Sequence, residues 1–423
     1  VGLLDSVGRI DRSYSRTVIN FSALLYMKIK FIDEYDILSK KVLLRVDFNV
    51  TLTPDFKIAD DFRIRQSIPT LKHLLDKKNT IILLSHLDRP EKRDKRYSLA
   101  PVADRLRRFL PNVGIELVND FKKNLDKIRK KKNPHIYILE NIRFYKGEKT
   151  NDPRFAKQLA SLADVYVNDA FGVSHRINAS TVGVVKFLPS FGGLLLKKEI
   201  EMIKRYILDS PAHPFTAIIG GAKISTKISL INKLLELADY LLIGGGLANT
   251  FLSAQGFYIG RSFCEYERVE IARKLLFKAA QTQTAIVLPE DVVLGHQDNS
   301  ENGGRVFKVS EIPENEDLSI LDIGPETKAR YAAIILRSKT IVWNGPVGFI
   351  ENPIFRQGTD FIYYSITQNK DAVSIVGGGD TLAAISKKEY LDKITHISTG
   401  GGAMLEFIEK GTLPAIQALE QSD

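Results

Sequence analysis

Short runs of β-branched and aliphatic residues recur along the chain, separated by longer segments of helical period. The runs predict strands at Val42–Val46, Thr80–Ser85, Ile115–Val118, Ile136–Leu139 and Val165–Asn168. A second series follows at Thr216–Ile219, Tyr240–Ile243, Ala285–Leu288, Thr340–Trp343, Ser374–Val376 and Ile394–Ser398. Most are continuously apolar rather than alternating, the pattern of parallel strands buried on both faces. Helical periodicity occupies the intervals, as in Arg63–Lys78, Leu99–Phe109, Pro153–Ala163 and Lys227–Leu237. The fold class is α/β, and the strands outnumber an ordinary single sheet, so two sheets are expected. Between the two series, Leu194–Leu208 reads as a helix with no strand partner, ended by Ser210-Pro211-Ala212-His213-Pro214. It is the natural linker between two halves.

The residues that follow each strand differ between the halves. In open α/β sheets, ligands bind beyond the carboxyl ends of the strands. In the first half those ends read Arg45-Val-Asp47-Phe-Asn49, Ser85-His86-Leu-Asp88-Arg89, Glu140-Asn-Ile-Arg143 and Asn168-Asp169 through His175-Arg176. In the second they read Gly220-Gly221-Ala-Lys223, Gly244-Gly245-Gly246, Trp343-Asn344-Gly345, Gly377-Gly378-Gly379-Asp380-Thr381 and Thr399-Gly400-Gly401-Gly402. Arginine forks suit a small, multiply charged carboxylate or phosphate. Glycine loops running into helices suit nucleotide phosphates. The pairing points to a transferase with a nucleotide on one side.

None of the glycine loops fits G-x-G-x-x-G, and no G-x-x-x-x-G-K-[ST] occurs, so the common nucleotide fingerprints are absent. Lys223 and Lys227 stand four apart where a loop enters a helix, and are expected to share a helical face. Cations at a helix N-terminus are disfavoured unless an anion lies between them. Asp380 either caps the next helix or holds Mg²⁺ beside substrate phosphates; the sequence leaves both roles open. Trp343, the single tryptophan, reads as a packed strand residue, and Cys264, the single cysteine, as inert.

Composition narrows the class further. The chain has 423 residues, 44% hydrophobic and 26% charged, which is ordinary globular composition. One cysteine excludes an internal disulfide, and no apolar run approaches the roughly 18 residues of a membrane span. A cytoplasmic location is expected. The 60 Lys and Arg against 50 Asp and Glu give a net charge of +10, which favours anionic partners. Nucleic acid is the competing class, motivated by the Lys122–Lys132 run. Aromatic residues are not interleaved with that run, so it reads as a solvated face. Residues 1–26 form an N-terminal extension, disordered or not native, with little function expected before Met27.

Taken together, the strings RVDFNV (from Arg45), SHLDRP (from Ser85), ENIRF (from Glu140), VYVNDAFGVSHR (from Val165), GGAK (from Gly220), WNGPVG (from Trp343), GGGDT (from Gly377) and STGGGA (from Ser398) resemble phosphoglycerate kinases, from about Met27 onward. The resemblance implies two Rossmann-like domains joined by a hinge helix: 27–191 for 3-phosphoglycerate, 192–213 as hinge and linker, and 214–405 for the nucleotide. It implies that 406–423 returns to the first domain. The substrate residues it implies are Asp47, Asn49, Arg63, His86, Arg89, Arg143 and Arg176. For ATP or ADP it implies Gly221, Lys227, Gly244, Gly245, Gly246, Asn344, Glu351, Gly377, Gly378, Gly379, Asp380 and Thr381, with Asp380 towards Mg²⁺. Lys223, Arg63 and the amides around Gly378 and Gly401 would stabilise the phosphoryl group in flight. A monomer that closes about its hinge is expected. A different ATP-dependent carboxylate kinase would keep the glycine half but not SHLDRP and NDAF. Two positions depart from the family pattern: Asp88 replaces the usual glycine of SHLGRP, and Thr226 stands where Asp commonly precedes the second lysine.

Overall fold

The computed structural model describes residues 29–124, 128, 135–297, 303–314, 317–378, 381 and 388–422. The extension 1–26, much of the Lys122–Lys132 run, and Gly379 and Asp380 lie outside the described residues.

The first half is one six-stranded sheet: β1 (Lys41–Arg45), β2 (Thr80–Leu84), β3 (Gly114–Val118), β4 (His135–Leu139), β5 (Val165–Asn168) and β6 (Ser190–Gly192). Its order is β3-β4-β2-β1-β5-β6, every pair parallel, with Val42 in register with both Ile81 and Val165. β2 and β4 are buried along their whole length, which explains their unbroken apolar sequences. In the second half, β7 (Phe215–Ile219), β8 (Tyr240–Ile243) and β9 (Ala285–Val287) are followed by a separate antiparallel sheet. That sheet comprises β10 (Asp291–Gly295), β11 (Arg305–Lys308) and β12 (Ser319–Ile323), in the order β11-β10-β12. The chain then returns with β13 (Thr340–Asn344), β14 (Val373–Gly377) and β15 (His396–Ser398), giving a parallel sheet in the order β15-β14-β13-β7-β8-β9.

All the expected strands are present with ends shifted by at most two residues; β6 and the antiparallel sheet were not expected. The fold is α/β, two Rossmann-like domains with helices flanking each parallel sheet. A helix, Leu194–Ile203, joins them and widens into a π-helical turn at Lys204–Asp209 instead of continuing regularly to Leu208.

Strand order fixes where the chemistry sits. In the first sheet β2, β3 and β4 all lie on one side of β1, with β4 inserted between β2 and β3, and then β5 is laid on the other. In the second, β8 and β9 run outward from β7 before β13 is laid on its other side. Crevices open at such reversals, at the carboxyl ends of the strands. They fall beside Arg45 and Asn168 in one sheet, and beside Ile219 and Asn344 in the other. The two halves touch through buried apolar side chains, including Phe171 against Phe407 with ring centroids 6.3 Å apart. The helix Pro414–Glu420 comes back to the first sheet: it packs near β6, and the Ala415 amide donates to Ser174 O at 3.0 Å.

Candidate active site

The carboxyl ends of β4, β2, β1 and β5 are neighbours, so the loops after them converge. Arg143 sits in the turn Ile142–Phe144, His86 just beyond β2, Asp47 and Asn49 beyond β1, and Arg176 beyond the turn Phe171–Val173. Arg63 joins them from the first turn of the helix Phe62–Asp76 and donates from Nη1 to Asn49 O. Asp47, His86 and Arg143 are buried. Burial works against ionising Asp47, but Arg63, Arg45 and the Asn49 amide together hold its carboxyl below the usual range.

His86 is the opposite case. Burial and the nearby guanidinium groups of Arg45, Arg143 and Arg63 push its pKa well down, despite Asp47. Its imidazole is therefore neutral at physiological pH. Arg45 Nη2 lies 3.3 Å from His86 Nδ1, and arginine can only donate. Nδ1 is thus the acceptor, which leaves Nε2–H as a donor. The 3.6 Å separation of Nδ1 from Asp47 is then no ion pair. Arg143 is brought down to about 10 by burial, with Arg176 and Arg45 adding to the effect. Crowding cations in this way is unfavourable until an anion joins them.

Beneath this cluster lies a charged side chain that motif reading left without a role. Arg45 is 1% exposed, donates from Nε to Ser180 Oγ at 2.8 Å, and helps offset the buried Glu148. Its position inside RVDFNV was the only available signal.

The second half presents the ends of β15, β14, β13, β7 and β8 in spatial order. Gly378 has φ +112°, a conformation side chains rarely adopt, and a Cβ on Gly401 would lie 2.2 Å from the Gly378 Cα, so the first position is held to glycine by its backbone and the second by lack of room. Asn344 spans the gap, donating from Nδ2 to Gly377 O at 2.6 Å. Thr381 Oγ1 serves the loop itself, accepting from the Gly345 amide and donating to Gly377 O, both at 2.8 Å. The helix Gly401–Lys410 starts here, and first-turn amides have no acceptor within their own helix.

Two expectations need correction. Lys223 and Lys227 do not share a helical face: the helix begins at Ile228, Lys227 is its cap residue, and Lys223 lies in the preceding turn. The intervening Ile224 is fully buried and pins that turn, so the lysines are placed by the turn rather than by helical spacing. Nor do the first glycine loops offer free amides. Gly220, Gly221, Gly244 and Gly245 donate to Asn344, Pro346, Ile219 and Val347 carbonyls respectively. Glycine is needed there because backbones meet: a Cβ on Gly220 would lie 2.1 Å from Pro346 O. Beside them opens a cavity of about 350 Å³, lined by Gly221, Gly245, Gly246, Val347, Phe349 and Glu351 among others.

The two sets of strand ends are in contact. Arg63 Nε donates to Thr399 O at 3.0 Å, just before the Gly401 helix. The buried Glu199 of the linker helix holds the same residue, accepting from the Thr399 amide at 2.6 Å and its hydroxyl at 2.7 Å. Glu199 also pairs with His396 Nε2 at 2.8 Å. Glu199 carried no sequence signal, and Thr399 only its place in STGGGA.

Asp88 has a structural explanation. Its φ is +54°, a left-handed conformation that glycine adopts freely and aspartate tolerates. The exposed carboxylate accepts from the Arg89 amide at 2.8 Å, while the Asp88 carbonyl accepts from Arg143 and its amide donates to Asn49 Oδ1. Thr226 is exposed and its hydroxyl donates to Lys223 O at 3.1 Å.

The family model for phosphoglycerate kinase matches residues 32–411. The chain belongs to the phosphoglycerate kinase family. A phosphoglycerate kinase of Dictyoglomus turgidum is 45% identical over 386 residues, covering 91% of this chain and 96% of its own. The solved phosphoglycerate kinase of Coxiella burnetii superposes with a TM-score of 0.80 at 39% identity, covering 93% of this chain and 98% of its own. That of Pyrococcus horikoshii OT3 gives 0.81 at 30% identity, over 93% and 99%. As a member of this family the chain is a kinase, a phosphotransferase. No described helix is long and apolar enough to cross a membrane.

Proposed function

We propose that the chain catalyses reversible phosphoryl transfer between 1,3-bisphosphoglycerate and ADP, giving 3-phosphoglycerate and ATP. The observation that carries this reading is the Arg63–Thr399 contact, which joins the anion-binding strand ends of one domain to the helix N-terminus of the other. In this reading Asp47, Asn49, Arg63, His86, Arg89, Arg143 and Arg176 hold 3-phosphoglycerate. Burial and neutral His86 suit a donor to an anionic oxygen rather than a proton shuttle. The nucleoside occupies the cavity beside Gly245 and Gly246, with Glu351 at its edge. Lys227, Asn344 and the 377–381 loop flank the phosphates.

The carboxylate of 3-phosphoglycerate and the terminal oxygen of ADP are both ionised at neutral pH, so neither direction needs a strong base. The oxygen attacks phosphorus in line, and the leaving oxygen departs with the bonding pair. Arg63, Lys223 and the amides around Gly378 and Gly401 neutralise charge on the group in flight. Mg²⁺ would neutralise phosphate charge when bound. Mg²⁺ ordinarily binds through one or two carboxylates together with substrate phosphates. In this reading Asp380 is the carboxylate that would hold it.

The domain limits 27–191 and 214–405, with 192–213 as hinge and 406–423 returning to the first domain, belong to the same proposal, as do a monomeric state and a cytoplasmic location. The decisive assay couples ATP consumption to 3-phosphoglycerate with Mg²⁺. Turnover is expected, and Lys223→Ala should lower kcat about 10²–10³-fold, the usual cost of one transition-state donor. No turnover in the unaltered protein would sink the reading. Scattering should also show compaction only when both substrates are present.

A further inference from the structure

One side chain on the cavity wall takes no part in the reading above. Asp322, in β12, lines the cavity and is 2% exposed. One carboxylate oxygen accepts from the Ile323 amide at 2.9 Å. The other accepts from the Gly358 amide at 2.7 Å, in the first turn of the helix Gln357–Gln368. The same carboxylate stands against Gly348, where an added Cβ would lie 2.3 Å from Oδ1. Gly348 lies between Val347 and Phe349, both on the cavity wall, in the loop that ends at Glu351. That loop is tied down at two further points: the Val347 amide donates to Thr359 Oγ1 at 3.1 Å, and the Phe349 amide to Leu321 O at 2.7 Å. Two segments of the wall and the start of that helix therefore meet at one carboxylate.

We propose that Asp322 is a positioning residue for the nucleotide: it locks the Val347–Glu351 wall against β12 and the helix Gln357–Gln368, and so sets affinity for the nucleoside rather than the rate of transfer. The inference rests on assigning this cavity to the nucleoside. Burial raises the carboxyl to about 7, against the Gly358 and Ile323 amides and Lys328, so an ionised group here is costly and an apolar residue would pack more cheaply. What the carboxylate adds is geometry. It accepts two amides from different segments and leaves room only for glycine at 348 and 358.

Binding of adenosine and of 3-phosphoglycerate, together with steady-state kinetics, separates the possibilities. Asp322→Ala should weaken adenosine binding and raise KM for ATP about tenfold or more. Saturated kcat should stay within about threefold and KM for 3-phosphoglycerate within about twofold. Asp322→Asn retains one acceptor and should recover part of the affinity. Gly348→Ala, which drives a methyl against both the carboxylate and the Phe355 carbonyl, should reproduce the selective loss and serves, read together with Asp322→Asn, if Asp322→Ala does not fold. Unchanged nucleotide affinity in folded variants, or an equal decline in every parameter, would overturn the proposal. Adenosine that fails to compete with ATP on the unaltered protein would instead overturn the cavity assignment, and the inference with it.

Discussion

Glu199 offers a perturbation whose size follows from geometry. It is fully buried in the linker helix and accepts from the Thr399 amide, the Thr399 hydroxyl and His396 Nε2 at 2.6, 2.7 and 2.8 Å. Removing the carboxylate orphans those partners, and each buried polar group left unpaired costs about 1–3 kcal/mol. Their effects are coupled, so Glu199→Ala should cost about 3–6 kcal/mol, a large part of an ordinary domain's stability. Glu199→Gln keeps the volume and one acceptor, and should cost about 1–2 kcal/mol. The effect should reach catalysis as well, because Thr399 O is the acceptor for Arg63. If Thr399 drifts, Arg63 loses its anchor on the far side of the cleft, and kcat should fall about tenfold in the glutamine variant, equivalent to about 1.4 kcal/mol. Urea unfolding followed through Trp343, the single tryptophan and fully buried in β13, reads the stability term. Steady-state turnover reads the other. Unchanged unfolding midpoints in Glu199→Ala would refute the energetics. Loss of stability with untouched kcat would refute the coupling to Arg63.

Three further predictions rest on other features. Gly401→Ala places a methyl 2.2 Å from Gly378 Cα, so it should destabilise by about 1–3 kcal/mol and depress kcat far more than it raises KM, checked by urea melts and kinetics. Burial pushes the Asp169 carboxyl up to about 7, so the folded protein holds a proton that the unfolded chain has lost. Stability from this group should therefore fall as pH rises from about 4 to about 7 and stay low above it. Asp169→Asn should then stabilise by up to about 4 kcal/mol at pH 8 and hardly at all at pH 4; an equal shift at both pH values would contradict the cause. Asp88→Gly should leave KM for 3-phosphoglycerate within about twofold, since the Asp88 carboxylate caps the Arg89 amide and faces solvent.

The parallel sheets were legible because burial on both faces writes continuous apolar runs, as in Thr80–Leu84. The antiparallel insert was not. β11 is mostly exposed and reads Arg-Val-Phe-Lys, while β10 is bracketed by Asp291 and Gly295, residues that ordinarily mark turns. β6 is three residues long, too short for any period. Strand-end motifs located Asp47, His86, Arg143 and Asn344, because the sheet itself brings those ends together. Arg63 and Thr399 are 336 residues apart, and only the docking of one domain on the other joins them. Glu199 looks like any glutamate in a helix until His396 and Thr399 close over it. The pairing of Lys223 with Lys227 failed for a local reason: helical spacing was assumed from Lys223, five residues before the helix begins at Ile228.

The returning helix Pro414–Glu420 has a consequence for how the protein is made. Ala415 bonds to Ser174, and Leu413, Ile416 and Leu419 are buried in the core shared with the earlier half. On the ribosome, the strands of the first sheet emerge some two hundred residues before that helix, given synthesis from the N-terminus. Throughout that interval the surface around Ser174 has no cover, and the second domain can fold while the first still waits. The domain that begins first is thus completed last. A chain interrupted before Leu413 would leave its oldest part unfinished, so that surface, rather than the newest segment, is where holdase chaperones or proteases would recognise an incomplete molecule.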